Sequence, residues 1–76
     1  MRRFTDPSGR SWDVVLGRES FGALYALFVP AAGNDERTRQ TPLSADSYAG
    51  AEVELSGLST AELGSLLERS EPKTLE

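Results

Sequence analysis

The chain of 76 residues contains no cysteine and no histidine, and its one lysine is Lys73. Without cysteine there is no disulfide and no thiolate ligand for a metal. Without histidine the chain lacks the commonest metal ligand and the side chain whose unperturbed pKa lies near neutrality. A domain of this size gains only about 3–5 kcal/mol from its core, so oligomerisation is the remaining means of adding stability.

Long apolar segments are also missing. The longest run, residues 23–29, has seven residues, whereas a membrane-spanning helix needs about 20. Residues 1–7 lack the apolar stretch of a secretory signal, so we expect a soluble, cytoplasmic protein with no membrane partner. Leu75 and Glu76 are typical of a cloning remnant ahead of a purification tag, and we assign a single domain to residues 1–74.

Acidic residues outnumber basic ones and give a net charge of −4 at pH 7. The excess is uneven, because residues 1–43 carry six arginines and five acids, whereas residues 44–76 carry two basic and seven acidic residues. An acidic chain repels phosphate backbones at long range. The first half nevertheless holds enough arginine for a local basic face.

Strand signals dominate the first half. Asp6-Pro7-Ser8-Gly9 predicts a turn, since aspartate, proline and glycine occupy the positions that a β-turn favours. Extended segments are expected on both sides, at residues 2–5 and 10–17. Within the second, Trp12, Val14 and Leu16 recur at every second position, which is the pattern of a half-buried strand. Residues 17–22 then predict a hairpin loop.

The next segment, residues 23–29, is rich in strand-forming residues and apolar on both faces. One face holds Leu24, Ala26 and Phe28, and the other holds Tyr25, Leu27 and Val29. A strand of this kind is normally central and covered on both sides. A weak fourth strand is predicted at residues 38–41, limited to a sheet edge by Pro42.

The second half carries helix signals. Ser59 and Glu62 have the spacing of a capping box and predict a helix that stops near Ser70, ahead of Pro72. A weaker start signal at Ser44 favours a helix over residues 45–56.

Gly57 fits the C-cap of that first helix. The alternative for this segment is a strand, in which Ala51, Val53 and Leu55 alternate with Glu52 and Glu54.

These elements predict an α+β fold: a three- to four-stranded antiparallel β-meander followed by two C-terminal helices packed on one face. Helices on one side leave the other side of the sheet, that of Tyr25, Leu27 and Val29, without a partner from this chain. The alternative is that long loops or the segment 45–56 cover this second face.

Catalytic chemistry finds no support in the residues present. Gly17 and Gly22 have the spacing of a phosphate-binding loop, but the lysine that such a loop requires is missing. Serines are plentiful, but a serine nucleophile needs a base, and the chain has no histidine and only Lys73, which lies near the C-terminus. Glu52 and Glu54 are expected to be solvated, and residues 34–36 lack the alternating spacing of a calcium loop. We therefore expect no enzyme activity, metal, cofactor or small-molecule ligand.

A protein partner, including a second copy of the chain, is the leading hypothesis because contiguous apolar patches usually mark interfaces. Tyr25, Leu27 and Val29 are the candidate anchors, with Arg18 and Arg39 at the rim. The alternative is binding of single-stranded nucleic acid, in which sheet aromatics stack on bases and arginines line the groove. The relevant aromatics are Phe4, Trp12, Phe21, Tyr25 and Phe28.

Overall fold

The computed structural model describes residues 2–18 and 23–73. The described elements are, in chain order, β1 (Arg2–Thr5), β2 (Ser11–Arg18), β3 (Leu24–Pro30), β4 (Arg39–Pro42), α1 (Tyr48–Ser56), α2 (Thr60–Arg69) and β5 (Glu71–Pro72). The strands form one antiparallel sheet in the order β1-β2-β3-β4-β5. The predicted α+β class, an antiparallel meander with two helices packed on it, is confirmed, but the described sheet has five strands rather than three to four, and the fifth follows the helices.

The predicted turn between β1 and β2 forms around Asp6. Its carbonyl accepts the backbone N–H of Gly9 at 2.9 Å, and Gly9 has a φ of 92°, a conformation that favours glycine. One carboxylate oxygen accepts the backbone N–H groups of Ser8 and Arg10, and the other accepts the Trp12 indole N–H at 3.0 Å. A single side chain therefore closes the turn and anchors the largest aromatic ring.

Both helices start at a serine cap. The capping box of α2 is present, since Ser59 Oγ accepts the Glu62 backbone N–H at 3.1 Å and Glu62 accepts that of Ser59 at 2.9 Å. Residues 48–56 form a helix, which confirms the preferred interpretation over the strand alternative.

The predicted start of α1 at Ser44 is wrong, because the cap is Ser47. Leu43 still donates its N–H to the Leu24 carbonyl at 2.9 Å, so the chain remains extended there and turns later.

The core lies between the helices and one face of the sheet. Phe28, Leu63 and Val14 are fully buried. Phe4 and Trp12 pack edge-on against Phe28, with ring centroids 6.4 and 6.5 Å away. Leu55 of α1 and Leu66 of α2 complete the same cluster, so both helices cover this face.

The strand β5 corrects the prediction that β4 is a sheet edge. Glu71 and Pro72 pair with Gln40 and Arg39, and the Lys73 N–H donates to the Thr38 carbonyl at 2.8 Å. Pro42 lies beyond this short pairing, so its missing N–H interrupts no bond to β5.

Two sequence-based interpretations lie outside the described residues. These are most of the hairpin loop, at residues 19–22, and the C-terminal pair Leu75–Glu76.

Candidate interaction surface

The sheet face directed away from the helices, called the outer face below, has four apolar side chains at its centre. Val15 of β2 lies opposite Leu27 of β3, and Tyr25 and Val29 flank Leu27 on the same strand face. We call these four residues the outer cluster. The structure confirms the predicted facing of Tyr25, Leu27 and Val29, while their role in binding stays a prediction.

Exposure differs sharply between the two faces of β3. Ala26 and Phe28 are 0% exposed, whereas Val29 is 36% exposed and Tyr25 and Leu27 are partly buried. This partial burial comes from neighbours on the same face, since Leu27 lies across Gly17 of the adjacent strand. The helix α1 directs its buried residues to the opposite side, whereas α2 reaches the edge of the outer face with Arg69, close to Tyr25.

One flank of the outer face carries an ion pair between β1 and β2. The Arg3 guanidinium donates to both oxygens of Asp13, at 2.9 and 3.4 Å. This hydrogen bond and the charge of Asp13 raise the pKa of Arg3. The Arg3 side chain is 65% exposed and that of Asp13 is 20% exposed, so water reaches the pair from the arginine side.

The other flank contains a recess of about 350 Å³ beside β4 and β5. It is lined by Tyr25, Gln40, Pro42, Arg69 and Glu71. The Gln40 Oε1 atom is buried and has no hydrogen-bond partner among the described residues. A buried acceptor without a donor lowers the stability of the folded state.

The structure corrects the placement of Arg18 and Arg39 beside the outer cluster. Arg18 pairs with Leu24 in the sheet register and stacks over the Tyr48 ring of α1 at 5.5 Å, on the helix side. Arg39 pairs with Phe28 and donates to Ser70 Oγ at 2.8 Å and to the Ser70 carbonyl. Both arginines therefore support the covered side of the molecule.

Sequence reasoning missed several residues of this surface. The alternation within β2 puts Trp12, Val14 and Arg18 on one face of the sheet and Val15 on the other. The faces of Val15 and Arg18 could therefore have been predicted from the sequence. The proximity of Gln40 to Glu71 could not have been predicted in this way, because it depends on the pairing of β4 with β5.

A second recess, of about 330 Å³, lies on the helix side between β2 and α1. Arg2 borders it and donates to the carbonyls of Leu55 and Leu58 at 3.3 and 2.6 Å, which satisfies acceptors at the end of α1. The Ser56 hydroxyl in its lining donates to the Glu52 carbonyl at 2.6 Å. The polar side chains of this recess therefore donate hydrogen bonds to carbonyls at the C-terminal end of α1.

The aromatic rings required for base stacking are mostly inside the protein. Phe4, Trp12 and Phe28 belong to the core, and Phe21 lies outside the described residues. Tyr25 is the aromatic residue that the described strands place on the outer face. This arrangement weighs against the hypothesis of nucleic-acid binding through a row of stacked bases.

In the described residues, two carboxyl groups have pKa values lowered by hydrogen bonds within a turn and a helix cap. Desolvation raises the pKa of Asp6, but the hydrogen bonds from the Ser8 hydroxyl, the Trp12 indole and the backbone of Arg10 and Ser8 together lower it to about 2. The backbone and hydroxyl of Ser59 lower the pKa of Glu62. Within residues 2–18 and 23–73 no group of three metal-ligating side chains occurs.

Comparison with protein-family models, curated proteins and solved structures finds no match for this chain. Neither α1 nor α2, the helices of the described residues, has the length and apolarity needed to cross a membrane. Inferences about function therefore rest on the geometry of the outer face.

Proposed function

We propose that the protein is a non-enzymatic interaction module that binds a protein partner through its outer face. The observation that carries this proposal is the one-sided placement of α1 and α2. Both pack on the face of Phe28, while the preceding residue, Leu27, lies on a face whose centre neither helix of residues 2–18 and 23–73 covers. An antiparallel sheet whose second face is apolar at its centre is suited to association.

The distribution of polar groups on the outer face supports a protein partner. The outer cluster occupies the centre, and charged residues lie on both flanks, Arg3 and Asp13 on one and Arg69 and Glu71 on the other. Protein interfaces commonly have this arrangement of an apolar core and a polar rim, with tyrosine and arginine enriched.

The non-enzymatic part of the proposal rests on the state of the titratable groups. Active sites use shifted pKa values in a cleft, where two groups are held in different protonation states. Here the lowered pKa of Asp6 belongs to a turn that also holds Trp12, and that of Glu62 belongs to a helix cap. Each shift has a local structural purpose.

A pair of neighbouring substitutions tests the proposal. Leu27→Asp places a charge on the outer face and is expected to leave the folded monomer intact, because the side chain remains in contact with water. Phe28→Asp is the matched control, since it puts the same charge at a position with 0% exposure and is expected to unfold the domain. Near-ultraviolet circular dichroism and amide spectra measure folding in both variants.

The two outcomes for Leu27→Asp separate an interface from a core. A folded variant supports an open outer face that is free to bind. Unfolding comparable to that of Phe28→Asp would mean that Leu27 is covered within the chain, and the proposal would then be wrong.

A further inference from the structure

Beyond the outer face, we propose that the protein has a second binding site, a groove between the edge of β2 and helix α1. Its occupant is an extended peptide segment of a partner protein, which adds to the sheet as a strand antiparallel to β2. The groove meets the outer face only at Val15 and is otherwise separate from it. This second site therefore does not depend on the function proposed for the outer face.

The strand β2 continues past its neighbour β1. The ladder between them begins with Arg2 opposite Val14, whereas β2 runs on to Arg18 and stays paired with β3 to that end. Beyond Val14, no strand of residues 2–18 and 23–73 lies on the β1 side of β2. Residues 15–18 of β2 therefore form a sheet edge, and an open edge is a template for pairing with another chain.

The hydrogen-bond pattern identifies the backbone groups that this edge offers. Asp6 donates its N–H to the Arg10 carbonyl at 2.8 Å, and bonding residues alternate along an antiparallel pair. The even-numbered residues of β2 are therefore those that bond towards β1. By the same alternation, the N–H and C=O groups of Leu16 and Arg18 point to the open edge. An extended polypeptide has acceptors and donors with this repeat, which is why a peptide segment fits.

A recess of about 330 Å³ lies at the same edge. Three consecutive residues of β2 line it, namely Val14, Val15 and Leu16. Successive side chains of a strand point to opposite faces, so a recess that touches all three lies along the strand edge and not over one face. Tyr48 and Leu55 of α1 are also part of the lining. A strand added to β2 would therefore lie beside α1.

The apolar lining indicates which side chain the added strand presents. Leu16 is on the helix side of β2 like Val14, yet Val14 is 1% exposed and Leu16 is only partly buried. The core is therefore incompletely covered at this end of β2. A residue directly opposite Leu16 directs its side chain to the same face. An aliphatic or aromatic side chain there would cover Leu16 and the Tyr48 ring, which is 44% exposed.

The probe is a six-residue peptide, acetylated and amidated at its ends, in which an apolar residue alternates with threonine. Residues opposite Leu16 and Arg18 both bond to β2 and direct their side chains to the helix side. The apolar residues should therefore supply the hydrogen bonds as well as the side chain that enters the recess. Three versions, with valine, leucine or phenylalanine, vary the size of that side chain.

Amide hydrogen exchange measures the pairing directly. In the free protein we expect slow exchange at Val15 and Gly17, which bond to β3, and fast exchange at Leu16 and Arg18. Adding the peptide should shift the amide signals of Leu16 and Arg18 and slow their exchange.

Two isomeric peptides separate backbone pairing from general adhesion. N-methylation of the apolar residues removes the N–H groups that face β2 and is expected to raise Kd at least about tenfold. N-methylation of the threonines removes N–H groups that point away from β2, so Kd should change by less than about threefold. Equal effects of the two modifications would overturn the pairing.

Matched protein variants locate the peptide. Ser56→Trp puts a large side chain into the recess from an exposed position of α1 and is expected to raise Kd at least about tenfold. Ser65→Trp makes the same change at an exposed position of α2 outside the recess and should bind like the wild type. Leu27→Asp should also bind the peptide normally, because Leu27 does not line the groove.

Each result supports or overturns the second site. Protection of the Leu16 and Arg18 amides only in the presence of peptide supports it. Protection in the free protein at every concentration would mean that the chain itself covers the edge, and protection that grows with protein concentration would assign the edge to a second copy. Either result overturns the inference, as does the absence of amide shifts with all three peptides at about 2 mM.

Normal peptide binding by Ser56→Trp would place the peptide elsewhere and would also overturn the inference. None of these failures touches the proposed function, which Leu27→Asp tests on the outer face.

Discussion

Leu27 lies across Gly17 so closely that a Cβ at Gly17 would stand 2.7 Å from Leu27 Cδ1 and 3.0 Å from its Cγ. Gly17 is therefore the position that lets the central side chain of the outer cluster lie flat against the sheet. Glycine within a strand often marks such a close approach.

Replacing Gly17 by alanine is expected to lift Leu27 without unfolding the protein. Alanine gains about 0.5–1 kcal/mol over glycine in a strand, and a displaced leucine rotamer costs about 0.5–1.5 kcal/mol. These effects nearly cancel, so the free energy of unfolding should change by less than about 1 kcal/mol.

The diagnostic measurement for Gly17→Ala is the chemical shift of the Leu27 methyl groups. We expect these signals to move, because a Cβ at Gly17 displaces the Leu27 side chain. Unchanged Leu27 methyl signals would contradict the packing of Leu27 over Gly17.

The turn at Asp6 is expected to make folding sensitive to acid. The folded pKa of Asp6, about 2, lies below its ordinary value of 3.8. A depressed pKa contributes stability that is complete above the unfolded value and is lost as the pH falls through the folded value. Asp6→Ala should therefore be less stable than the wild type at neutral pH, and the difference should shrink as the pH falls from about 4 to about 2.

Denaturant titrations of both proteins over this pH range measure that difference. Near neutrality we expect a loss of about 1–2 kcal/mol, because the Trp12 indole N–H and two backbone donors lose their acceptor. A difference between the two proteins that is independent of pH would show that the charge of Asp6 does not contribute.

The pairing of β5 is expected to depend on Arg39. Its guanidinium holds both Ser70 Oγ and the Ser70 carbonyl, and Ser70 is only 5% exposed. Arg39→Met keeps most of the apolar stem but leaves these acceptors without their donor, at a cost of about 1–3 kcal/mol.

Hydrogen exchange locates the effect of Arg39→Met. The Lys73 amide, which donates to Thr38, should exchange faster in the variant than in the wild type. Arg37→Met is the control, because Arg37 is exposed in the loop before β4. Equal protection of Lys73 in the wild type and in Arg39→Met would refute the role of Arg39.

Alanine at Gly64 is expected to stabilise the domain. Gly64 lies inside α2, and a Cβ there would meet Phe4 Cζ at 3.9 Å, an ordinary contact. Alanine is favoured over glycine within a helix by about 1 kcal/mol, so the midpoint of thermal unfolding should rise. Gly50→Ala in α1 should gain less, since its Cβ would come within 3.0 Å of the capping Ser47 Oγ. An equal gain at both positions would contradict this distinction.

For the candidate surface, the sequence pattern predicted some of the residues that lie on the outer face and missed others. Alternation along β3 correctly separated Leu27 from Phe28, because side chains of a strand point to opposite faces in turn. Arg18 and Arg39, expected at the rim, lie on the helix side of the sheet, because their register positions put them on the face of Leu24 and Phe28. The recess around Gln40 was beyond prediction, because it is formed by residues from β3, β4, α2 and β5.

The sequence by itself determined the features that depend on near neighbours. The turn at Asp6, the capping box at Ser59 and the two apolar faces of β3 follow from bonding and geometry over a few residues.

Tertiary structure decided the rest. It selected Ser47 over Ser44 as the cap of α1, because β4 holds the chain extended through Leu43. It also added Glu71–Pro72 to the sheet, a pairing of two residues that is too short for any periodic signal and exists because α2 returns the chain to the edge of β4.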